Sequence, residues 1–258
     1  MRIVDSFLHP VTLPSESALF SISAASLDAD LPTIATRMAT LGVERAMLVL
    51  FHPEALDHAQ VGASNGFNLS LLADFRREDA FDRLADLARK GVRSITFHPY
   101  LQDIVHEDWP QALAVAREAE RLGLFIAICT AFGSGKIYSI DVLPFAAAVA
   151  GSVTCPVVFA HCGGAKTLDA LLIADAHPNV WLETSFSLSY WLGSSVEQDM
   201  AFAMRKLGAG RWLFGSDAPF VEMGKALTDH FEFFGQHRFA DMEIEAIMGG
   251  NALRLLEG

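Results

Sequence analysis

The sequence predicts an α/β protein, a single (β/α)8 TIM-barrel domain spanning residues 1–258. Three observations carry that prediction. The length matches the roughly 250 residues such a barrel uses. The composition, 52% hydrophobic and 19% charged, suits parallel strands buried on both faces. Eight short apolar runs, mostly separated by amphipathic stretches, alternate along the chain in the manner of a parallel sheet. An open doubly wound sheet would want a glycine fingerprint after its first strand, where Asp5-Ser6-Phe7-Leu8-His9-Pro10 stands instead.

In chain order, residues 2–5 form the first strand, and 10–26, without a clear period, a long loop over the barrel mouth. Residues 31–41 read as a helix through Leu31, Ile34, Met38 and Leu41, with Asp30 as N-cap and Pro32 in the first turn. The unbroken apolar run 46–50 is a buried strand, and 67–72 a weaker candidate. A helix over 77–89 is stopped by Gly91, and strand 92–97 follows. Helix 110–122 has proline at its start and Gly123 past its end, before strand 124–128. The rhythm repeats as helix 139–150, strand 157–160, helix 165–174, strand 180–183, helix 196–207 and strand 212–215. Helices near 221–234 and 241–256 complete the chain.

No apolar run reaches the roughly 18 residues needed to span a bilayer, since charged or polar residues interrupt every candidate, and the first residues lack a leader's apolar stretch, so a cytoplasmic protein is expected. A formal charge of −12 repels phosphate backbones and anionic membranes, which leaves a small molecule as the expected partner. The apolar composition leaves a homo-oligomer open. The cysteines, Cys129, Cys155 and Cys162, form no CxxC pair, which argues against a disulfide framework or a structural zinc cluster.

In a barrel of this kind, reactive side chains sit where strands end at the C-terminal face. The polar residues at those ends are Asp5 and His9 on strand one, His52 on two, and His98 with Tyr100 on four. Strand five ends in Cys129 and Thr130, strand six in His161 and Cys162, strand seven in Glu183, Thr184 and Ser185, and strand eight in Ser216 and Asp217. Four histidines and an aspartate thus recur at one architectural position.

The segments Phe159-Ala160-His161-Cys162-Gly163-Gly164, Leu213-Phe214-Gly215-Ser216-Asp217-Ala218-Pro219 and Gly249-Gly250-Asn251-Ala252-Leu253-Arg254-Leu255 resemble motifs of the amidohydrolase-related family. Arg93-Ser94-Ile95-Thr96-Phe97-His98-Pro99 resembles its fourth-strand segment, and order and spacing agree along essentially the whole chain. The resemblance implies a divalent metal that activates water, with Asp217 binding metal or moving the water's proton, and His161 ligating metal or polarising a substrate carbonyl. It also implies a His-x-His pair on strand one and a histidine on strand five. Here Phe7 replaces the first, leaving His9, and Cys129 stands at the strand-five position.

Two catalytic readings follow. In one, His9, Cys129, His161 and Asp217 form an altered site for one divalent metal, zinc or manganese. In the other no metal is used: Asp217 is the general base, while His161 and His98 polarise the substrate, as in lactonase-type relatives. Either way the expected activity is a hydrolase acting on a small carboxylated lactone, ester or amide. A decarboxylase on the same scaffold, or a non-catalytic ligand-binding barrel, are the alternatives. Tyr100, Lys136 and Tyr190 are the candidate substrate contacts; Lys136 lies in Phe132-Gly133-Ser134-Gly135-Lys136, which lacks the glycine and Ser/Thr of a phosphate loop. Each residue also has a plain structural role open to it: Asp217 as a helix cap, Cys129 as an inert core thiol, His9, His98 and His161 as satisfied buried imidazoles. His52 and His58 read as loop or surface residues, and His106, His177, His230 and His237 as structural or solvated ones.

Overall fold

The computed structural model describes residues 1–14, 24–51, 66–130 and 135–257. Eight parallel strands follow one another in sequence order around a nearly closed barrel. They are β1 (Ile3–Leu8), β2 (Val43–Leu50), β3 (Phe67–Leu72), β4 (Ser94–Phe97), β5 (Phe125–Cys129), β6 (Val157–Ala160), β7 (Val180–Glu183) and β8 (Trp212–Leu213). Around them lie α1 (Ala24–Leu41), α2 (Ala80–Arg89), α3 (Pro99–Gln102), α4 (Trp109–Arg121), α5 (Val142–Ser152), α6 (Thr167–Ala176), α7 (Ser187–Trp191), α8 (Ser195–Leu207), α9 (Met223–Gln236), α10 (Asp241–Glu245) and α11 (Asn251–Glu257).

The strands form where the sequence is apolar on both faces. Ile95, Ile126, Ile128, Phe159 and Leu182 are fully buried against the helical ring, while Val158 and Ala127 face the barrel interior. Among the described residues no helix is long and apolar enough to cross a membrane.

The expected elements are present, with shifted ends. The largest shift is at α1, which starts at Ala24 rather than 31. Asp30 is therefore inside the helix, where it accepts from the Thr12 hydroxyl at 2.6 Å instead of capping, and Pro32 is a mid-helix residue. Burial of Leu27 together with Leu31, Ile34 and Met38 extends the apolar stripe one turn back and offsets the hydrogen bond that Pro32 forgoes. Of the loop expected over 10–26, residues 15–23 lie outside the described residues, as do His52, His58 and residues 132–134. The C-terminal motif is structural: the Asn251 amide donates to the carbonyls of Ala209 and Trp212, each at 2.7 Å, tying the tail to β8.

Two features aim side chains at the mouth. The β1–β2 register slips between Asp5 and Leu8, a bulge that re-aims the end of β1. Beyond β8 the chain stays alongside β1: Ser6 N donates to Phe214 O, Asp217 N to Phe7 O and His9 N to Ala218 O, all at 2.9 Å. This seam closes the barrel and sets His9 beside Asp217.

Candidate active site

His9 and Asp217, 208 residues apart in sequence, meet side chain to side chain: His9 Nε2 lies 3.2 Å from Asp217 Oδ1, both well buried. A carboxylate only accepts, so His9 carries its proton on Nε2. Its Nδ1 is left as a buried acceptor without a partner among the described residues. The Phe7 ring packs edge-on at 5.5 Å from His9 and 4.9 Å from His161, so His161 joins the same cluster. Phe51 bridges to His98, at 5.5 Å from His9 and 5.8 Å from His98. Burial holds the His161 imidazole below its ordinary range, against the pull of nearby Asp217. Burial, with His161 and His9 close by, likewise depresses half-buried His98.

Backbone groups fix which nitrogen each imidazole presents. His161 Nδ1 is 3.0 Å from the carbonyl of Ser185, which can only accept, so Nδ1 carries the proton and Nε2 is an acceptor. His98 has the opposite tautomer. Its Nδ1 accepts from Leu101 N at 3.3 Å, the cap of α3, so Nε2–H is a donor. Neutral His98 donates while neutral His161 accepts.

Beneath these residues lie two buried carboxyl groups to which sequence reasoning assigned no role. Glu183 accepts from Ser185 N and Ser185 Oγ, each at 2.6 Å, and from His161 N at 3.2 Å. Ser185 Oγ also reaches His161 Nδ1 at 3.0 Å. Asp5 accepts from Ser216 N at 2.9 Å and Ser216 Oγ at 2.5 Å. These bonds hold turns that are unfavourable in themselves: His161 and Asp217 have φ of 64° and 61°, the left-handed region that costs a non-glycine residue about 1 kcal/mol or more. The sequence signal was there, a carboxylate ending each of two apolar strands, but nothing local says what it holds.

Burial pushes Glu183 up to about 8, against the opposing bonds from Ser185 and His161, and Asp5 up to about 6. A raised folded-state pKa means stability that is present below the ordinary value of 4.5 and lost as pH rises through 8. Glu183→Gln does not titrate. The stability gap between wild type and this variant is therefore expected to move in the variant's favour by about 1.4 kcal/mol per pH unit across that window. Urea unfolding at pH 5 and pH 8.5 measures it; a gap independent of pH would contradict the assignment.

The remaining candidates lie as follows. Tyr100 is buried against His98 at 6.4 Å between rings; burial, and secondarily Cys129, push its phenol up to about 12. Cys129 is buried at the end of β5 on the Tyr100 side and is not in a disulfide. Tyr190 is largely exposed on α7, stacked on Phe186 at 5.5 Å and edge-on to Trp191. Lys136 is turned to Asp103 at 2.5 Å and to the Tyr100 carbonyl at 3.2 Å, so its charge is already engaged. His230 is structural: it bonds Thr184 Oγ1 and the Ala226 carbonyl, each at 2.7 Å, inside the helical ring.

The donors do not fit the altered zinc or manganese site. Two imidazoles have a ligand's support: His161 with Nδ1 fixed on a carbonyl and Nε2 presented, and His9 with Nε2–H on Asp217 and Nδ1 presented. Asp217 Oδ1 is already engaged by His9 Nε2–H, Cys129 lies by Tyr100, and the Phe7 ring packs edge-on against both His9 and His161. Among the described residues no three His, Cys, Asp or Glu side chains gather in a way that could hold a metal ion.

The chain matches the model of a family described as amidohydrolase over residues 29–258. Among solved structures it is similar to an uncharacterized TIM-barrel protein from Bordetella bronchiseptica. That match has 20% identity and a TM-score of 0.75, and covers 100% of this chain and 99% of that one. It is similar also to a probable 2-pyrone-4,6-dicarboxylic acid hydrolase from Acinetobacter baumannii (15% identity, TM-score 0.68, 100% of each chain). A third is the 5-carboxyvanillate decarboxylase of Sphingomonas paucimobilis (15%, TM-score 0.64, 99% of each chain). At such identities the likeness is one of fold. No curated protein matches the chain.

Proposed function

We propose, from the premise that this chain belongs to the amidohydrolase family and is an enzyme of that type, that it hydrolyses a small lactone, ester or amide without a resident metal. The observation that supports this most is the His9–Asp217 pair beside His161, three side chains from distant strands converging at one barrel mouth. The probable hydrolase among its structural neighbours is consistent with the reaction class.

In this reading a water sits between Asp217 and the substrate carbonyl. Asp217 takes one proton from the water as its oxygen bonds the carbonyl carbon. The π electrons move onto the carbonyl oxygen, which accepts a hydrogen bond from His98 Nε2–H. A neutral imidazole is a suitable donor to such an oxyanion because no charge has to be desolvated to place it there. His161 Nε2, an acceptor, orients the water's second hydrogen. Collapse of the tetrahedral species breaks the bond to the leaving oxygen or nitrogen, which receives the proton held by Asp217. His9 Nε2–H holds the Asp217 carboxylate in line.

Protein purified without chelator is expected to hold zinc and manganese well below one per chain, and its turnover of a lactone and ester panel to be unchanged by chelator. Stoichiometric metal, lost together with activity on chelation and restored by adding it back, would overturn the metal-free route.

A further inference from the structure

The site is walled by hydrocarbon and poor in uncommitted cations. Phe7, Phe51 and Phe220 each stand 5.5 Å from the His9 ring, and Val11, Leu72 and Leu101 pack into the same cluster. The described residues include every lysine and arginine of the chain. The segments running from a strand's C-terminal end to the next long helix or strand carry only four of them: Arg76, Arg77, Lys136 and Lys166. Arg76 is spent on Asp108 and the carbonyls of Gln102 and Asp103. Arg77 is paired with Asp79 at 2.7 Å and Lys136 with Asp103 at 2.5 Å, while Lys166 is exposed. The same segments carry twelve Asp or Glu residues, within a chain of net charge −12.

A substrate carboxylate would approach a negative face and lose its water against phenylalanine, with three of the four cations of those segments already paired, Lys166 turned to water and Arg37 of α1 paired with Glu222. Desolvating an unpaired ion in this way is strongly unfavourable, and the long-range field slows its encounter. An uncharged ring gains in the same place, by burying apolar area and packing edge-on against the phenylalanines.

We propose that the substrate is an uncharged, ring-bearing carbonyl compound, an aryl ester or a ring-substituted lactone, and that carboxylated analogues are excluded. This revises the carboxylated class expected above and sets the site apart from the acids named for two structural neighbours. The reaction half rests on the hydrolase reading; the recognition half does not.

The test uses matched pairs differing by one carboxylate. For binding without turnover, calorimetry compares benzamide with 4-carbamoylbenzoate on the full chain; for turnover, phenyl acetate is compared with 4-acetoxybenzoate. Benzamide is expected to bind at least about ten-fold tighter, and phenyl acetate to show a kcat/KM at least about 100-fold higher. Leu101→Lys, or Phe220→Arg if the first variant misfolds, is expected to shrink both ratios about ten-fold by supplying an uncommitted cation. Lys136→Ala and Lys166→Ala are expected to leave both ratios unchanged. Several results would overturn the proposal: the carboxylated partner equal or preferred, neither amide binding, a trimethylammonium analogue of benzamide preferred, or either lysine variant selectively weakening the carboxylated partner. Preference for benzamide with no ester turned over would sink the hydrolase reading and leave the recognition claim standing.

Discussion

Asp217→Asn is expected to lower kcat by about 10³-fold, the usual contribution of a positioned general base, while KM changes little. Asparagine keeps the size of the side chain, and its amide oxygen can still accept from His9 Nε2–H, 3.2 Å from Oδ1 in the wild type. It is also among the non-glycine residues most at ease at the φ of 61° that position 217 adopts. The backbone bond from Asp217 N to Phe7 O at the barrel seam is unaffected. The fold should therefore survive, with an unchanged unfolding midpoint, and benzamide binding should persist. Only the ability to take a proton from water is removed. Steady-state kinetics on the best ester of the panel, with circular dichroism as the folding control, decides it. Retention of more than about a tenth of wild-type kcat would remove Asp217 from the role of base and turn attention to His161 Nε2 or His9 Nδ1.

The second large effect comes from a residue that touches no substrate. Gly215→Ala is expected to cost about 2–5 kcal/mol of stability, from overpacking plus unsatisfied buried donors, and to reduce kcat in the fraction that folds. A Cβ at 215 would stand 2.2 Å from Glu183 Oε1 and 3.0 Å from Ser185 Cβ. The Glu183 carboxyl must move, and it is the acceptor for Ser185 N, Ser185 Oγ and His161 N. Displacing it strands three buried donors and releases the turn that holds His161 at a left-handed φ of 64°. Gly210→Ala is the control, since a Cβ there meets nothing within 4 Å; its change should stay within about 1 kcal/mol. Denaturant titrations of the two variants side by side measure the difference, and equal midpoints would show that the Gly215 contact is relieved at no cost.

The glycine of the Gly-Ser-Asp-x-Pro motif thus has a steric reason, and its serine an electrostatic one through Asp5. Both were visible as letters before either reason was. Element positions were largely legible because they depend on near neighbours. An apolar run such as 157–160 or 180–183 has to be buried wherever it lies, and the strand ends observed there match those expected. Where expectation slipped, at α1, the deciding quantity was burial of Leu27 against a distant part of the core. Lys136 illustrates the same limit in the site: its place on a loop at the active face was readable, but its pairing with Asp103, 33 residues away, was not.

What the sequence by itself determined is the barrel, the strand ends that bear chemistry, and the identity of the side chains there, including a phenylalanine and a cysteine where histidines were expected. These follow from local hydrophobic pattern and from spelling. Only the tertiary structure decided the pairing of His9 with Asp217, the tautomers of His98 and His161, the carboxyl of Glu183 beneath His161, and the scarcity of uncommitted cations beside the phenylalanines. Those depend on barrel closure, which brings the two ends of the chain to one seam, and no short-range pattern encodes a contact across 208 residues.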